Sequence, residues 1–287
     1  MTAVAPGSMH GVRERGGEMI EVIAQPGSVV SNRTFSPPLI GGAPRGPVGV
    51  DFLAISFPII SYDGDVNMWD EVWLKPFGRS VDMVVDRVPV RISFLEMPSG
   101  PWGRLAFNPA RWSDPEGCSF LETNELLPAL SWGWDLVSEL MTPMESVSEA
   151  RLKRIDLGRD FTVRHPDFFI RGLLNGPHGP AKEAVVWHDP DGSGALTLKL
   201  GFKINYVRLY DEHVKRPHLA PYGTLRFEAQ CGPKWLGRGG MRRARDATPG
   251  RLQRLTMDRW KWSGMWAWSP ARRRCSRACS DWRWVTA

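Results

Sequence analysis

Alternating apolar and polar residues run through much of this chain, and the pattern predicts a protein that is rich in β-strands. Strands are predicted at 48–58, 80–96, 102–112, 151–163, 184–188, 194–212 and 222–231. The Met-Pro-Ser-Gly-Pro segment at 97–101 is typical of a turn between the second and third of these segments. The long segment 194–212 has room for one strand or for a hairpin of two.

Two segments have helical spacing instead. Between Glu122 and Met144, apolar residues recur every three or four positions, which predicts an amphipathic helix. Its tryptophans Trp132 and Trp134 are expected to pack into a core rather than to bind a ligand. The segment 248–265 predicts a second amphipathic helix. No repeat of 20–50 residues runs through the chain, so a solenoid is excluded.

Two of the predicted strands resemble each other. VDFLAISF at 50–57 and IDLGRDF at 155–161 each place an acid after an aliphatic residue, and each ends on phenylalanine. The similarity is short, and it hints that the chain contains two related halves.

The mixture of elements predicts an α+β fold with a curved, mostly antiparallel sheet, a polar concave face and helices packed on the other side. Four regions are expected along the chain. Residues 1–47 are rich in glycine, proline and serine and are predicted to form a flexible leader. A main domain at 48–236 is followed by a C-terminal helical segment at 237–265 and an irregular basic tail, rich in tryptophan and arginine, at 266–287.

The net charge of +6 is concentrated at one end, because residues 238–287 hold twelve arginines and one lysine against three aspartates. One interpretation is a basic end that binds a polyanion such as DNA. The other is a solvated, poorly ordered end. The composition of 266–287, which has no helical or strand period, also fits a frame-shifted or truncated end.

Cysteine usage and hydropathy indicate the class of protein. The four scattered cysteines do not form a disulfide framework, and their spacing disfavours a zinc site. The N-terminal residues lack the apolar run of a signal peptide. The longest apolar run, FLAISFPII, is too short to span a membrane. A soluble, cytoplasmic protein with no membrane partner is therefore expected.

Three predicted strands combine an apolar face with a face of acids, arginines and tyrosines. The polar positions are Arg154, Asp156 and Asp160 in the first strand, Tyr206, Arg208 and Tyr210 in the second, and Arg226, Glu228 and Gln230 in the third. In one sheet, such a face offers carboxylates that suit Mg²⁺ or Mn²⁺, arginines that suit phosphate oxygens, and a tyrosine whose phenolate a cation would favour as a nucleophile. The alternative is a solvated face whose charges pair across strands.

The ordered motifs VDFLAISF, RIDLGRDF, VRLYDEH and LRFEAQ resemble the replication initiation factors of rolling-circle plasmids and phages, and more distantly the filamentous-phage replication proteins. In that family, a strand with an early Asp precedes Arg-aliphatic-Asp-aliphatic, then aliphatic-Tyr-Asp/Glu-Lys, and finally Arg-aromatic/Val-Glu. The resemblance covers roughly 48–236. It implies a metal-dependent DNA-nicking catalytic domain. Its tyrosine would attack a phosphodiester of the double-strand origin, stay joined to the 5′ phosphate and leave a 3′ hydroxyl for the host polymerase.

The resemblance implies roles for single residues where the motifs match. Tyr210 would be the nucleophile, and Asp156 and Glu228 would bind the metal ion, Mg²⁺ or Mn²⁺. Asp160 and Asp51 are further candidate ligands. Asp51 lines up with an apolar strand face, unless its position at the strand start frees it from that face.

Further residues are implied as contacts to DNA. Arg208, Arg226 and Lys215 would bind backbone phosphates, and Tyr206, which shares the parity of Tyr210, is the alternative nucleophile. The chain departs from the family where Glu212 stands in place of the lysine of Tyr-Asp/Glu-Lys, and Lys215 follows later. The implied partners are origin DNA, expected as a hairpin, host helicase and polymerase, and a second copy of the chain.

Two other functions stay open at this point. One is a non-cleaving or truncated DNA-binding relative of such initiators, and the other is an unrelated, non-catalytic β-rich interaction protein. Geometry separates them, since a nicking site needs Asp156, Glu228 and Tyr210 on one sheet face with converging side chains.

Overall fold

A computed structural model describes residues 13–15, 18–20, 43–62, 70–72, 78–114, 119–175, 184–188, 196–202 and 204–262. The strands are β1 (Arg13–Arg15), β2 (Glu18–Ile20), β3 (Ala43–Tyr62), β4 (Asp70–Val72), β5 (Gly78–Val85), β6 (Val88–Met97), β7 (Gly100–Phe107), β8 (Leu121–Glu122), β9 (Met141–Pro143), β10 (Arg151–Thr162), β11 (Ala184–His188), β12 (Leu196–Phe202), β13 (Asn205–Asp211) and β14 (Thr224–Cys231). The helices are α1 (Ala110–Ser113), α2 (Leu126–Leu140), α3 (Pro166–Asn175), α4 (Glu212–Lys215), α5 (Pro233–Arg238) and α6 (Pro249–Trp262).

Twelve of the described strands form one open antiparallel sheet. Its order is β11-β12-β13-β14-β10-β3-β7-β6-β5-β4, and β8 and β9 also pair with β3. Strands β1 and β2 form a separate two-stranded sheet. The prediction of an α+β fold with a mostly antiparallel sheet is confirmed.

The strand order repeats in the two halves of the sheet. Outward from the centre, one half runs β3, β7, β6, β5, β4 and the other runs β10, β14, β13, β12, β11. In each half the first strand is central, the last strand lies beside it, and the others follow in reverse chain order. Because β3 and β10 pair antiparallel, an approximate two-fold axis through the sheet relates the halves. This topology agrees with the two halves suggested by the sequence.

The core lies on one face of the sheet, under the helices. Alternate residues of the strands supply it, as the predicted parity requires, with Leu53, Ile55, Ile155, Leu157, Val207, Leu209, Leu225 and Phe227 fully buried. From the helix side, the Trp134 ring lies 4.6 Å from Phe57 and the Trp260 ring stacks on Phe161 at 4.3 Å. The prediction that Trp132 and Trp134 pack into the core is confirmed.

The structure places several boundaries differently from the sequence pattern. The predicted strand 80–96 is two strands, because the chain turns at Asp86 and Arg87, whose φ angles of 49° and 68° are those of a tight hairpin turn. Strand β3 begins at Ala43 rather than at residue 48. The segment 194–212 is a hairpin of β12 and β13. The predicted tail at 266–287 lies outside the described residues.

The helices of the described part of the chain are short or amphipathic. None of them is long and apolar enough to cross a membrane.

Candidate functional site

The strands β10, β14 and β13 place the predicted polar residues on one face of the sheet, opposite the core. Across these strands, Asp160 pairs with Arg226, and Arg226 pairs with Tyr210. One row along the sheet, Glu228 lies between Gly158 and Arg208. Asp156, Glu228 and Tyr210 therefore share a face, as the nicking hypothesis requires.

Tyr210, Glu228 and Arg208 form a hydrogen-bonded group on this polar face. The Tyr210 hydroxyl donates a hydrogen bond to Glu228 Oε1. Arg208 Nη2 donates to the other carboxylate oxygen, Glu228 Oε2, at 2.5 Å. Only 5% of Tyr210 and 3% of Glu228 is exposed, so the bond between them is shielded from water, whereas the Arg208 side chain is 30% exposed.

Burial and charge set the protonation of this group. Burial raises the pKa of Tyr210 well above its usual value, and the nearby Glu228 and Glu212 carboxylates raise it further. Burial also acts to raise the pKa of Glu228, but Arg208, the Tyr210 hydroxyl and Arg226 lower it overall. At neutral pH Glu228 is therefore an ionised acceptor of the hydrogen bond from a neutral Tyr210.

Asp156 lies beside this group, in an ion pair with its own strand neighbour. Arg154 Nε donates to Asp156 Oδ1 at 2.8 Å, and Arg154 Nη2 bonds the second oxygen. Burial raises the pKa of Asp156, although its bonds from Arg154 act in the opposite direction. Asp156 is only 2% exposed, so its charge is compensated within the protein.

Asp51 reaches the same face through a β-bulge. Phe52 pairs with Asp156 and Val50 pairs with Leu157, so Asp51 is the extra residue of β3 between the two pairs. Because of this bulge, and not because of a position at the strand start, Asp51 does not lie on the apolar face that strict alternation predicts. Asn108 Nδ2 donates to Asp51 Oδ1 at 3.2 Å.

Carboxylates repel one another around Asp51. Burial raises the pKa of Asp51 to about 6, and the Glu228 and Asp156 carboxylates add to the increase. Among the described residues, no three His, Cys, Asp or Glu side chains are gathered closely enough to hold a metal ion. The three acids are suitable hard-oxygen donors, and their mutual repulsion is what a bound cation would relieve.

Asp160 belongs to a second ion-pair group on the polar face. Arg226 binds it with two hydrogen bonds, from Nε to Oδ1 at 2.8 Å and from Nη2 to Oδ2 at 2.9 Å. The remaining terminal nitrogen, Arg226 Nη1, lies 3.0 Å from Glu212 Oε1. Arg226 thus joins two carboxylates, which fixes its guanidinium beside Tyr210.

Glu212 is a site residue that the sequence pattern did not identify. It is 1% exposed, and its ion pairs are with Arg226 and, at 3.5 Å, Arg216. Neither carboxylate oxygen accepts a hydrogen bond of good geometry in the described structure. Burial raises its pKa to about 7, against the opposing effect of the two arginines. The available signal was its position two residues after Tyr210.

The remaining predicted residues surround the two tyrosines. Lys215 Nζ lies 4.9 Å from the centre of the Tyr210 ring, so a lysine ammonium group lies beside Tyr210 although Glu212 follows Asp211 in the chain. Tyr206 lies under Lys199 Nζ at 4.1 Å, and burial raises its pKa. Tyr222 is 67% exposed in a turn.

Phe120 covers part of the polar face and explains two glycines. A Cβ atom at Gly158 would lie 2.1 Å from the Phe120 ring, and one at Gly49 would lie 2.2 Å from Phe120 Cβ. Arg226 stacks on the same ring at 4.5 Å. The two glycines therefore leave the space that the Phe120 side chain occupies beside Arg226.

Comparisons with known proteins found similarity among solved structures. No protein-family model and no curated protein matches the chain. Among solved structures, the chain is similar to the rolling circle replication initiator protein from Geobacillus stearothermophilus, with 15% sequence identity and a TM-score of 0.36. The match covers 74% of this chain and 79% of that one. Similarity of this degree assigns no function.

Proposed function

We propose that this protein is a replication initiator that nicks DNA at the origin of a rolling-circle plasmid or phage, with Tyr210 as the nucleophile. The observation that carries the proposal is the hydrogen bond from the Tyr210 hydroxyl to Glu228, whose second oxygen is held by Arg208. A nucleophile bonded to a base that a third residue orients is the arrangement expected for covalent catalysis.

The reaction follows from these contacts. As the Tyr210 oxygen bonds to the phosphorus, its proton passes to Glu228 along the existing hydrogen bond. The bond from phosphorus to the 3′ oxygen of the DNA breaks, and that oxygen takes a proton from water. The hydroxide that remains takes the proton from Glu228, which restores the carboxylate. The products are a 5′-phosphotyrosine and a free 3′ hydroxyl, from which a host polymerase can extend.

Arginines on the polar face stabilise the charge of the attacked phosphate. Arg226 lies opposite Tyr210 on β14, and Arg208 lies two residues before Tyr210 on β13. The Lys215 ammonium group lies over the Tyr210 ring. Their positive charges offset the charge that develops on the phosphate oxygens. Because Tyr210 is 5% exposed, DNA must first displace part of the surface that covers this face.

A divalent cation, Mg²⁺ or Mn²⁺, is part of the proposal. Asp156, Glu228 and Asp51 would hold it, with Asp160 as a further ligand, but they are too far apart for this in the described structure and would have to move closer together around the ion. Their oxygens suit such ions, and the repulsion of Asp51 by Glu228 and Asp156 would favour binding of a cation. When bound, the cation would supply positive charge that stabilises the phosphate and lowers the pKa of the tyrosine.

The experiment is a nicking assay on supercoiled candidate origin plasmid with Mg²⁺, read as relaxed circles and as a covalent protein–DNA adduct on a denaturing gel. Tyr210→Phe is expected to abolish the adduct, since the phenyl ring keeps the packing and lacks the attacking oxygen. Tyr206→Phe is the matched control and is expected to retain it.

Each other outcome has a definite meaning. An adduct that persists in Tyr210→Phe and is lost in Tyr206→Phe moves the nucleophile to Tyr206. Origin binding without any adduct from the unmodified protein, with Mg²⁺ or with Mn²⁺, favours the second candidate, a non-cleaving DNA-binding relative. That candidate is supported by the neutral, buried state of Tyr210.

A further inference from the structure

The two halves of the sheet place equivalent residues on the polar face. Comparison of these residues identifies a second cationic site. In the half that contains Tyr210, one row across the strands reads Asp160, Arg226, Tyr210 and Thr197. In the other half, the equivalent row reads Ser56, Arg104, Ser93 and Ser80. The arginine is retained, whereas the acid and the tyrosine are replaced by serines.

The neighbouring row repeats the pattern. Glu228 and Arg208 are paired across β14 and β13, and their equivalents across β7 and β6 are Ala106 and Arg91. The half that contains Tyr210 thus has carboxylates that neutralise both of its arginines. In the other half, Ala106 stands at the position equivalent to Glu228, and Arg91 is paired instead with the exposed Asp82.

Arg104 is left without the compensation that Arg226 receives. Its Nε atom is buried and has no hydrogen-bond partner in the described structure, and the same holds for Ser56 Oγ beside it, in a side chain only 3% exposed. Burial lowers the pKa of Arg104, and the charged groups that lower it further, Arg154 and Arg91, are both cations. Arg151 adds another positive charge, since it pairs with Ser56 from β10.

We propose that Arg104, Ser56 and Ser93 form a second phosphate-binding subsite, which holds the backbone of a DNA strand that crosses the sheet from Tyr210. A guanidinium and two hydroxyl groups offer donors for the oxygens of one phosphodiester. The inference that the phosphate belongs to DNA rests on the proposed function. The inference that the ligand is an anion rests on Arg104, whose Nε has no hydrogen-bond partner in the described structure.

The position of the subsite suits a long substrate. Asp160 and Arg151 mark the two rows on β10 and are nine residues apart, so at about 3.3 Å per residue the rows lie roughly 30 Å apart along the strand. In a B-form duplex the charges of one strand are about 3.4 Å apart along the axis, so the span corresponds to about nine base pairs of duplex and to fewer nucleotides of an extended single strand. The subsite would therefore fix the path of the strand well away from the cleaved bond.

The experiment measures DNA binding in the Tyr210→Phe background, where no cleavage occurs. Fluorescence anisotropy of a labelled thymidine oligonucleotide of about 20 nucleotides is recorded between about 50 and about 200 mM salt. Arg104→Gln is expected to weaken binding about tenfold and to reduce the slope of log affinity against log salt by about 0.7, the value for one phosphate contact to a single strand. The matched control is Arg254→Gln, which removes an exposed arginine on the helical side and is expected to leave the slope unchanged.

A structural role for Arg104 predicts a different result. Because its Nε is unpaired, Arg104→Gln is expected to leave the thermal midpoint of the DNA-free protein unchanged or higher, whereas loss of a structural contact would lower it. Should Arg104→Gln fail to fold, Ser56→Ala combined with Ser93→Ala tests the same site, with an expected loss of about threefold in affinity.

The outcomes separate this proposal from the nicking function. If Arg104→Gln binds with the affinity and slope of its parent, or if Arg254→Gln has the same effect, the subsite is refuted and the nicking function stands. If the Tyr210→Phe protein itself does not bind the oligonucleotide, DNA is refuted as the ligand, and the proposed function is refuted with it.

Discussion

The buried carboxylate of Glu212 makes folding stability depend on pH in a direction that the structure defines. Its pKa is raised from 4.5 to about 7, first by burial. Between these two values the folded protein keeps the proton while the unfolded chain has released it. Unfolding therefore releases a proton, and the free energy of unfolding falls as pH rises through this window and levels off above about pH 7.

The magnitude follows from the two pKa values. The difference between 4.5 and about 7 corresponds to about 3 kcal/mol, of which about 2.5 kcal/mol falls between about pH 5 and about pH 8. In Glu212→Gln this contribution is absent. Going from about pH 5 to about pH 8, the variant should therefore lose about 2.5 kcal/mol less stability than the unmodified protein.

The assay is urea unfolding followed by tryptophan fluorescence at both pH values, with both proteins measured in the same buffers. Other titrating groups such as Asp51 are present in both proteins, so their contributions largely cancel in the comparison. Glu139→Gln, which removes an exposed carboxylate on α2, controls for the change in net charge. Equal pH dependence in Glu212→Gln and the unmodified protein would refute the assignment of a buried, protonated Glu212.

Two further changes test the packing and the backbone of the described structure. Gly158→Ala should lower the free energy of unfolding by about 1–3 kcal/mol, because its Cβ would lie 2.1 Å from the Phe120 ring; the control Gly237→Ala in α5, where a Cβ meets nothing within 4 Å, should raise it by about 0.4–1 kcal/mol. A stability loss in both variants would contradict the Phe120 contact as the cause. Arg87→Gly should raise the free energy of unfolding by up to about 1 kcal/mol, because Arg87 holds a φ of 68° that glycine adopts without strain. Urea unfolding measures the stability of the glycine variants and of Arg87→Gly. A loss of stability in Arg87→Gly would contradict the strained backbone at this turn.

Strand parity was the part of the site that the sequence could predict. Alternation in RIDLGRDF and LRFEAQ correctly separates Leu157 and Phe227, which are buried in the core, from Asp156 and Glu228 on the opposite face. Parity works there because the side chains of a regular strand alternate strictly. Parity also correctly placed Arg208 and Tyr210 on the polar face.

Departures from regular strands were not predictable in the same way. The bulge at Asp51 arises from how β3 pairs with β10, and pairing is not encoded in one strand alone. The turn at Asp86 and Arg87 lacks the glycine, asparagine or proline that marks most hairpins. The hydrophobic pattern therefore predicted one continuous strand across it. Glu212 follows the end of β13, where strand parity no longer predicts direction, and its burial depends on the fold around Arg226.

The two-fold arrangement of the sheet explains why one half alone carries the candidate chemistry. Both halves retain an arginine in each of two equivalent rows, Arg226 and Arg208 in one half and Arg104 and Arg91 in the other. Arginine alone attracts an anion, whereas nucleophilic attack also requires a hydroxyl bonded to a base. The half with Tyr210 and Glu228 has that pair, and Ser93 and Ala106 at the equivalent positions lack both the phenol and the carboxylate.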